Sequence, residues 1–317
     1  MAHDGCRNRG LSQVTVLSVR HLTRYRYARP VSFGEHRMMF RPRESFDQHV
    51  LDSVLNITPK PASIRYIHDA FGNTIGVARF DSEARELVFE SINRLEHHPE
   101  HALDTPDDRE GTHAYPFVYE AVDDPDLGPS RTPIHPDPDG VLAAWSKRFL
   151  EGLTKVDAPH ILAAMTLAIY DELKYESRHA GPPQTPLETL ALGRGTCRDF
   201  AVLMMEAARS LGLAARFVSG YLYVPERDDR PARRGGGNTH AWVRVFLPSG
   251  GWAEFDPTNG LVGNRDLIRV AVVRDPVQAV PLSGTWDGET GDYLGMDVEV
   301  DVVAEEPEDR KRVVRMR

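Results

Sequence analysis

The order of a cysteine, a histidine and an aspartate along the chain is the feature that most constrains its fold. Cys197 stands at the start of an amphipathic helical segment, and His240 and Asp256 follow on two predicted neighbouring strands. A thiol, a base and a carboxylate that orients the base are the parts of a thiolate nucleophile. The fold must therefore bring the start of a helix and two strands to one place.

The helix position of Cys197 favours an ionised sulfur. A free cysteine has a pKa of about 8.5 and is mostly an inert thiol at neutral pH. The positive end of a helix dipole and a neighbouring imidazolium both favour the thiolate. We predict His240 as the base. We predict Asp256 as the acceptor that fixes the tautomer of the base. Residues 240 and 256 are an even number of positions apart, so a hairpin of regular register points both side chains to the same face.

Three further residues are candidates for substrate contact. Trp242 and Trp252 lie on the predicted hairpin, where they either line an acyl-acceptor site or pack in the core, as aromatic residues on hairpins more often do. Asp199 either steadies the nucleophile loop or complements the helix dipole. The backbone N–H of Cys197 is expected to donate to a developing oxyanion. The sequence does not identify the second donor.

The composition is that of a packed, acidic protein. Of the 317 residues, 41% are hydrophobic, and the formal net charge is −9, which argues against a nucleic-acid partner. No apolar run of about 18 residues could span a membrane. One of the two cysteines, Cys6, lies in a polar N-terminal tail, so we expect no disulfide scaffold. Because the N-terminus also has no signal-peptide pattern, we predict a cytoplasmic location.

We predict no metal and no cofactor. The histidines within residues 97–101 are interrupted by a proline and have no second ligand cluster, so a solvated linker is favoured. The acidic run of residues 123–126 lacks the spacing of an EF-hand loop. Glycines 235–237 do not follow a strand and open a helix, as a phosphate-binding loop requires. They are expected to make the loop of residues 226–237 mobile, as a lid.

The periodicity of apolar residues divides the chain into a β-rich front half and a mixed second half. Alternation predicts strands from residue 14 to about 95, including a hairpin over residues 62–80. In the second half, helices are predicted around residues 142–149, 162–173 and 197–211, and strands over 215–224, 240–247 and 252–256. The predicted units are a flexible tail (1–13), a β domain (14–96), a linker (97–139), a catalytic core (140–290) and a C-terminal strand with a charged tail (291–317).

Several motifs resemble those of the bacterial transglutaminase-like superfamily. In the second half they lie at residues 195–201, 209–212, 214–221, 239–243 and 251–260, and in the front half at residues 21–27, 41–43 and 68–73. The resemblance implies an α+β fold, with a papain-like core of helices packed on an antiparallel sheet, preceded by a β-sandwich or barrel-like domain. It also implies a catalytic triad of Cys197, His240 and Asp256. Arg198 is a departure, because members of the family often carry Gln there.

These features predict a thiol hydrolase or acyltransferase that acts on a peptide or protein. Cys197 would attack a peptide bond or a glutamine carboxamide and form a thioester. With water as the second nucleophile the protein is a peptidase or amidase, and with an amine it is a transglutaminase. We favour hydrolysis, because water always competes and no sequence feature demands an amine site. A non-catalytic peptide-binding protein is the remaining alternative. The front domain is interpreted as a wall or a substrate-selecting cover.

Overall fold

A computed structural model describes most of the chain, namely residues 15–98, 114–152, 156–178, 181–225, 233–248 and 250–305. The predictions for the N-terminal tail with Cys6, for residues 99–101, for loop residues 226–232 and for the tail from residue 306 fall outside the described residues. Among the described residues, no helix is both long and apolar enough to cross a lipid bilayer.

The described residues form sixteen strands and five α-helices. The strands are β1 (Thr15–Met38), β2 (Gln48–Thr58), β3 (Ser63–His68), β4 (Thr74–Arg79), β5 (Glu83–His97), β6 (Ala114–Tyr115), β7 (Val156–Asp157), β8 (Lys174–Tyr175), β9 (Arg194–Gly195), β10 (Ala215–Leu222), β11 (His240–Leu247), β12 (Gly251–Asp256), β13 (Leu261–Val262), β14 (Leu267–Val273), β15 (Leu282–Asp287) and β16 (Tyr293–Ala304). The helices are α1 (Asp124–Arg131), α2 (Val141–Lys147), α3 (Ala158–Glu172), α4 (Pro186–Leu192) and α5 (Cys197–Ser210).

The long strand β1 organises an antiparallel sheet of seven strands, which we call the first sheet. The first half of β1 pairs with β5 on one side and with β16 on the other, and its second half pairs with β4 and β15. The hairpin predicted over residues 62–80 is formed by β3 and β4. The chain therefore returns to the first sheet at its end. β15 lies within the range predicted for the catalytic core, but its pairing assigns it to this sheet.

The second sheet has the order β13-β12-β11-β10-β14, with every pair antiparallel. The amphipathic helix α5 packs on β11 and β10. Its residues Phe200, Leu203 and Met204 have no exposed surface, and they share one core cluster with Val243 and Val245 of β11. Burial of these side chains from water is the main favourable contribution to this packing. The start of α5 is thereby held against the sheet that carries His240.

The segment predicted as a linker contains structure that its composition does not reveal. Its described part, residues 114–139, includes β6 and α1 and packs on the second sheet and α5. The hydroxyl of Tyr119 donates to the Phe246 carbonyl at 3.0 Å, and the buried carboxylate of Glu206 accepts the N–H groups of Ile134 and His135 at 2.8 and 2.9 Å. These contacts come from residues far apart in sequence, so periodicity alone could not predict them.

Two side-chain amides, from Gln48 at the start of β2 and from Asn73 in the β3–β4 turn, close the unpaired edge of β14. Gln48 accepts from the Arg269 N–H at 3.0 Å and donates to the Arg269 carbonyl at 2.9 Å. Asn73 does the same at Val272, with distances of 2.9 and 3.0 Å. The two amides thus replace the pairing of a neighbouring strand. An edge closed in this way cannot pair with another chain at these positions.

A buried charge cluster joins the two sheets at the same place. Arg269 is 3% exposed, and its guanidinium binds Asp47, which directly precedes β2 of the first sheet, and Glu254 of β12, the latter at 2.7 Å. Burial alone would lower the pKa of Arg269, but the two carboxylates raise it. Burial likewise acts to raise the pKa of Asp47, but hydrogen bonds and charge from Arg269 lower it to about 2. The guanidinium and the Asp47 carboxylate are therefore ionised at neutral pH.

We expect Arg269→Met to lower the free energy of unfolding by about 3–5 kcal/mol, because the substitution leaves two buried carboxylates without their partner. Arg20→Met is the matched control, since the Arg20 side chain is 41% exposed and pairs with Glu90 at the surface. The control should cost less than about 1 kcal/mol. Urea denaturation measures both variants. Equal losses in the two would contradict a dominant role for the buried cluster.

Candidate active site

Cys197 is the first residue of α5, and a capping box fixes its position. The Thr196 side chain accepts from the Asp199 N–H, and the Asp199 carboxylate accepts from the Thr196 N–H at 2.7 Å. Gly195 leaves no space for a side chain, because a Cβ there would lie 2.8 Å from the Asp199 Cβ. Cys197 is a free cysteine with 8% of its surface exposed. Its sulfur therefore lies at the positive end of the α5 dipole.

Asp199 holds the loop that precedes the nucleophile. It is fully buried, and its Oδ1 accepts from the Gln184 N–H at 2.7 Å and from Arg178 Nη2 at 2.9 Å. These contacts are those expected of a residue that steadies the nucleophile loop, and the carboxylate also lies in the first turn of α5, where it complements the helix dipole. Arg198 holds the same loop from outside, because it donates to the carbonyls of Gly181 and Arg178 at 3.1 and 3.3 Å.

His240 and Asp256 meet on one face of the β11–β12 hairpin. His240 begins β11 and Asp256 ends β12, in a register that pairs Val243 with Phe255. His240 Nε2 lies 2.8 Å from Asp256 Oδ2, and the two residues are only 1% and 0% exposed. The structure thus brings together the base and the carboxylate, as the even spacing of the two residues predicts.

Three N–H donors keep Asp256 ionised. Besides His240, Asn259 Nδ2 donates to Oδ2 at 2.8 Å and the Thr258 N–H donates to Oδ1 at 2.9 Å. Burial acts to raise the pKa of Asp256, but the charge of His240 and these hydrogen bonds outweigh it and lower the pKa. A buried carboxylate is therefore available to orient the imidazole.

The surroundings of His240 favour its charged form. Burial alone would lower the pKa of His240, but the charge and hydrogen bond of Asp256, followed by those of Cys197, raise it from 6.5 to about 10. The buried Nδ1 has no oxygen or nitrogen partner among the described residues. Because Nε2 is bound to Asp256, Nδ1 is the nitrogen that remains for the sulfur. The imidazolium is the charge state of His240 that this arrangement favours.

Residues 233–237, the described end of the predicted lid, lie over the imidazole. The Arg234 N–H donates to Asn259 Oδ1 at 2.7 Å, and Asn259 Nδ2 is 3.2 Å from the Arg234 carbonyl. Gly235 has a φ of +86°, and a Cβ there would lie 3.0 Å from His240 Nδ1, so only glycine suits this position. Asn259, for which no local sequence pattern predicts such a role, therefore connects this segment to Asp256.

The two tryptophans have packing positions. Trp242 has no exposed surface; its ring stacks on His240 with centroids 5.9 Å apart, and Nε1 donates to Glu254 at 2.8 Å. Trp252 is partly buried between Phe246, at 5.4 Å, and the guanidinium of Arg216, at 4.4 Å. Since Trp242 cannot line an acyl-acceptor site without exposed surface, its packing role is the one retained.

Comparisons with known proteins agree with this architecture. Residues 17–96 match the bacterial transglutaminase-like N-terminal region, and residues 145–257 match the transglutaminase-like superfamily. An uncharacterized protein of Mycobacterium leprae is 29% identical over 287 residues, which cover 90% of this chain and 98% of that protein. One of Mycobacterium tuberculosis is 28% identical over 320 residues, covering 96% and 97%.

A solved structure supports the same fold. The crystal structure of a candidate cysteine protease from Cytophaga hutchinsonii superposes with a TM-score of 0.68 at 20% identity, and the match covers 93% of each chain. Together with the family matches, it confirms two predictions made from the sequence, the resemblance and the α+β fold class with a β-rich N-terminal domain.

Asp256→Asn should make His240 lose its proton at a lower pH. The imidazole is protonated below its pKa and neutral above it, and the charge of Asp256 is the largest influence that raises this pKa to about 10. Without that charge we expect the titration to move towards 6.5 or lower. Ring ¹⁵N NMR follows the titration, and Asp292→Asn, a substitution in the turn between β15 and β16, is the control. A midpoint that stays near 10 in Asp256→Asn would refute this electrostatic account.

Proposed function

We propose that this chain, which carries the N-terminal region and the core of the bacterial transglutaminase-like superfamily, is a thiol enzyme that cleaves carboxamides. The observation that supports this most is the buried ring of His240, whose Nε2 Asp256 holds at 2.8 Å and whose pKa is raised first by Asp256 and then by Cys197. A nucleophile, a base and a group that orients the base are the requirements of covalent acyl transfer. The substrate is a peptide bond or the side chain of a glutamine.

Acylation begins when the Cys197 thiolate attacks the carboxamide carbon. A carbon–sulfur bond forms, and the π electrons of the carbonyl move to oxygen. The oxyanion develops beside the start of α5, where the first N–H groups have no intrahelical partner and the Cys197 N–H donates to it. When the carbonyl re-forms, the carbon–nitrogen bond breaks and His240 gives its proton to the departing amine. The products are a thioester and a neutral imidazole.

Deacylation repeats these steps with a second nucleophile. Neutral His240 accepts a proton from water as the water oxygen attacks the thioester carbon. The carbon–sulfur bond then breaks, and the acid product leaves behind a thiolate and an imidazolium. Asp256 holds the ring through both halves, because its carboxylate is fixed by Asn259 and Thr258 as well as by His240. The enzyme returns to the charge state in which it began.

Water is the second nucleophile that we favour, because it always competes and has access wherever an amine has. The two arginines near the nucleophile do not decide the choice. Arg198 donates to the carbonyls of Gly181 and Arg178, and Arg234 donates to the Tyr170 carbonyl and lies over the Tyr170 ring. Transfer to an amine is the alternative, and a non-catalytic peptide-binding protein is the alternative outside the enzyme class.

Iodoacetamide should alkylate Cys197 rapidly at about pH 6, where less than about 1% of a free thiol is ionised. In a Cys6→Ser background, His240→Ala should slow this reaction by about 10²-fold, because the thiolate loses its counter-ion. Mass spectrometry gives the site and the rate of alkylation. A wild-type rate no faster than that of the His240→Ala variant would favour the peptide-binding alternative.

The choice of acceptor is tested with a glutamine-containing peptide, with and without methylamine. We expect new α-amino groups or free ammonia to appear at a rate that methylamine does not raise, with little incorporation of the amine. Cys197→Ala should abolish both products. Incorporation of methylamine at a higher rate than hydrolysis would show that the protein is a transglutaminase. That result would contradict the proposed hydrolysis.

A further inference from the structure

Tyr175 is fixed beside the nucleophile by a short parallel pairing. It ends β8, which pairs with β9 so that Tyr175 lies opposite Gly195, two residues before Cys197. The Glu176 N–H donates to the Gly195 carbonyl at 2.9 Å, and the Lys174 N–H donates to the Gly193 carbonyl at the same distance. The strand that carries the tyrosine and the turn that carries the cysteine therefore form one unit.

The hydroxyl of Tyr175 faces the reacting groups. A Cβ on Gly235 would lie 3.0 Å from His240 Nδ1 and 3.5 Å from the Tyr175 hydroxyl oxygen. The imidazole nitrogen and the hydroxyl are therefore both close to the same position. The ring is partly exposed and packs edge-on to Phe200 with centroids 6.5 Å apart. Within the described part of the chain, the hydroxyl makes no hydrogen bond. A half-buried donor is thus free next to the imidazole that serves the sulfur.

The hydroxyl also remains protonated where the enzyme would work. Burial raises the pKa of Tyr175 to about 12, and the charges of Cys197 and Asp256 act in the same direction. A phenolate beside a thiolate would be a repulsive pair, so a neutral O–H is the favoured state. A neutral donor next to the nucleophile can bind negative charge that develops on a substrate, but it does not compete with His240 for the sulfur.

We propose that the Tyr175 hydroxyl is the second donor to the oxyanion, a role that rests on the proposed acyl transfer. As the Cys197 sulfur bonds to the carbonyl carbon, the π pair of the carbonyl moves to its oxygen. That oxygen then accepts hydrogen bonds from the Cys197 N–H and the Tyr175 O–H. Neither donor gives up its proton, and both bonds weaken again when the carbonyl re-forms. The nearby guanidiniums of Arg178 and Arg198 instead donate to the loop around residues 178–199.

The experiment compares two reactions of the same sulfur. p-Nitrophenyl acetate acylates Cys197 through a tetrahedral oxyanion, whereas iodoacetamide alkylates it by displacement without one. In a Cys6→Ser background, Tyr175→Phe should slow acylation at least about tenfold, and by up to about 10²–10³-fold if the donor contributes as much as those of other oxyanion holes. The alkylation rate should be unchanged. Tyr66→Phe removes the same atom from a ring that is 60% exposed, and it should change neither rate.

Three outcomes of this comparison decide the role of Tyr175. Slower acylation with unchanged alkylation supports an oxyanion donor. Two unchanged rates overturn the proposal, and so does an equal fall in both, because the hydroxyl would then act on the thiolate. Slow alkylation of the wild-type protein at about pH 6 would instead refute the thiolate itself, so failure of the proposed function is recognised separately.

A second variant keeps the test valid if Tyr175→Phe is poorly folded. Replacing Tyr175 by 3,5-difluorotyrosine preserves the ring and the hydroxyl but lets the hydroxyl ionise at lower pH. Acylation should then fall at an alkaline pH at which the wild type still reacts at full rate, while alkylation keeps the wild-type profile. Identical acylation profiles for the two proteins would overturn the proposal.

Discussion

The register of the β11–β12 hairpin is the constraint on which the site depends. Val243 opposes Phe255, and this pairing puts the first residue of one strand and the last of the other on the same face. A slip of one residue would turn either His240 or Asp256 away from its partner and would leave a buried charge unpaired. The register is well specified because the opposite face carries Val243, Val245 and Phe255 into the core beneath α5. The apolar pattern that folds the sheet is therefore also what aligns the imidazole with its carboxylate.

The first sheet extends this control to the ring of His240. Asp47 binds Arg269, Arg269 binds Glu254, and Glu254 accepts from the indole of Trp242, on which His240 stacks. This chain of contacts consists of buried, satisfied groups, and such networks are rigid because each member loses its partner if another moves. The front domain is thus more than the wall or cover that the sequence suggests. Through this path it supports the ring face of His240 that stacks on Trp242.

Sequence patterns predict the parts of this protein whose signals are local. The start of α5, the strands β10 to β12 and the β3–β4 hairpin all have clear periodicity or turn residues. β14 is not predicted, because nearly all of its residues are apolar, and a short apolar run without alternation does not distinguish a buried strand from a helix. Apolar periodicity does not predict α4 either, although Thr185 and Glu188 form a capping box and Pro186 occupies the first turn, which together are a readable signal. Asn259 and Tyr175 carry no such signal, because their importance arises from contacts made only in the folded chain.

Buried polar atoms without a hydrogen bond occur at several points of the described core, and one of these points is the candidate active site. Buried groups without a hydrogen bond are rare in folded proteins because each costs about 1–3 kcal/mol. Here the buried Nδ1 of His240 lacks an oxygen or nitrogen partner among the described residues. The Tyr175 hydroxyl makes no hydrogen bond within the same residues, and the Cys197 N–H lies at a helix start, where no intrahelical acceptor is available. The three groups belong to different elements. Under the proposed acyl transfer, the Tyr175 O–H and the Cys197 N–H would donate to the carbonyl oxygen, while His240 Nδ1 would serve the sulfur. Under that proposal both hydrogen bonds strengthen as negative charge forms on the oxygen, which is the condition for stabilising a transition state more than a substrate.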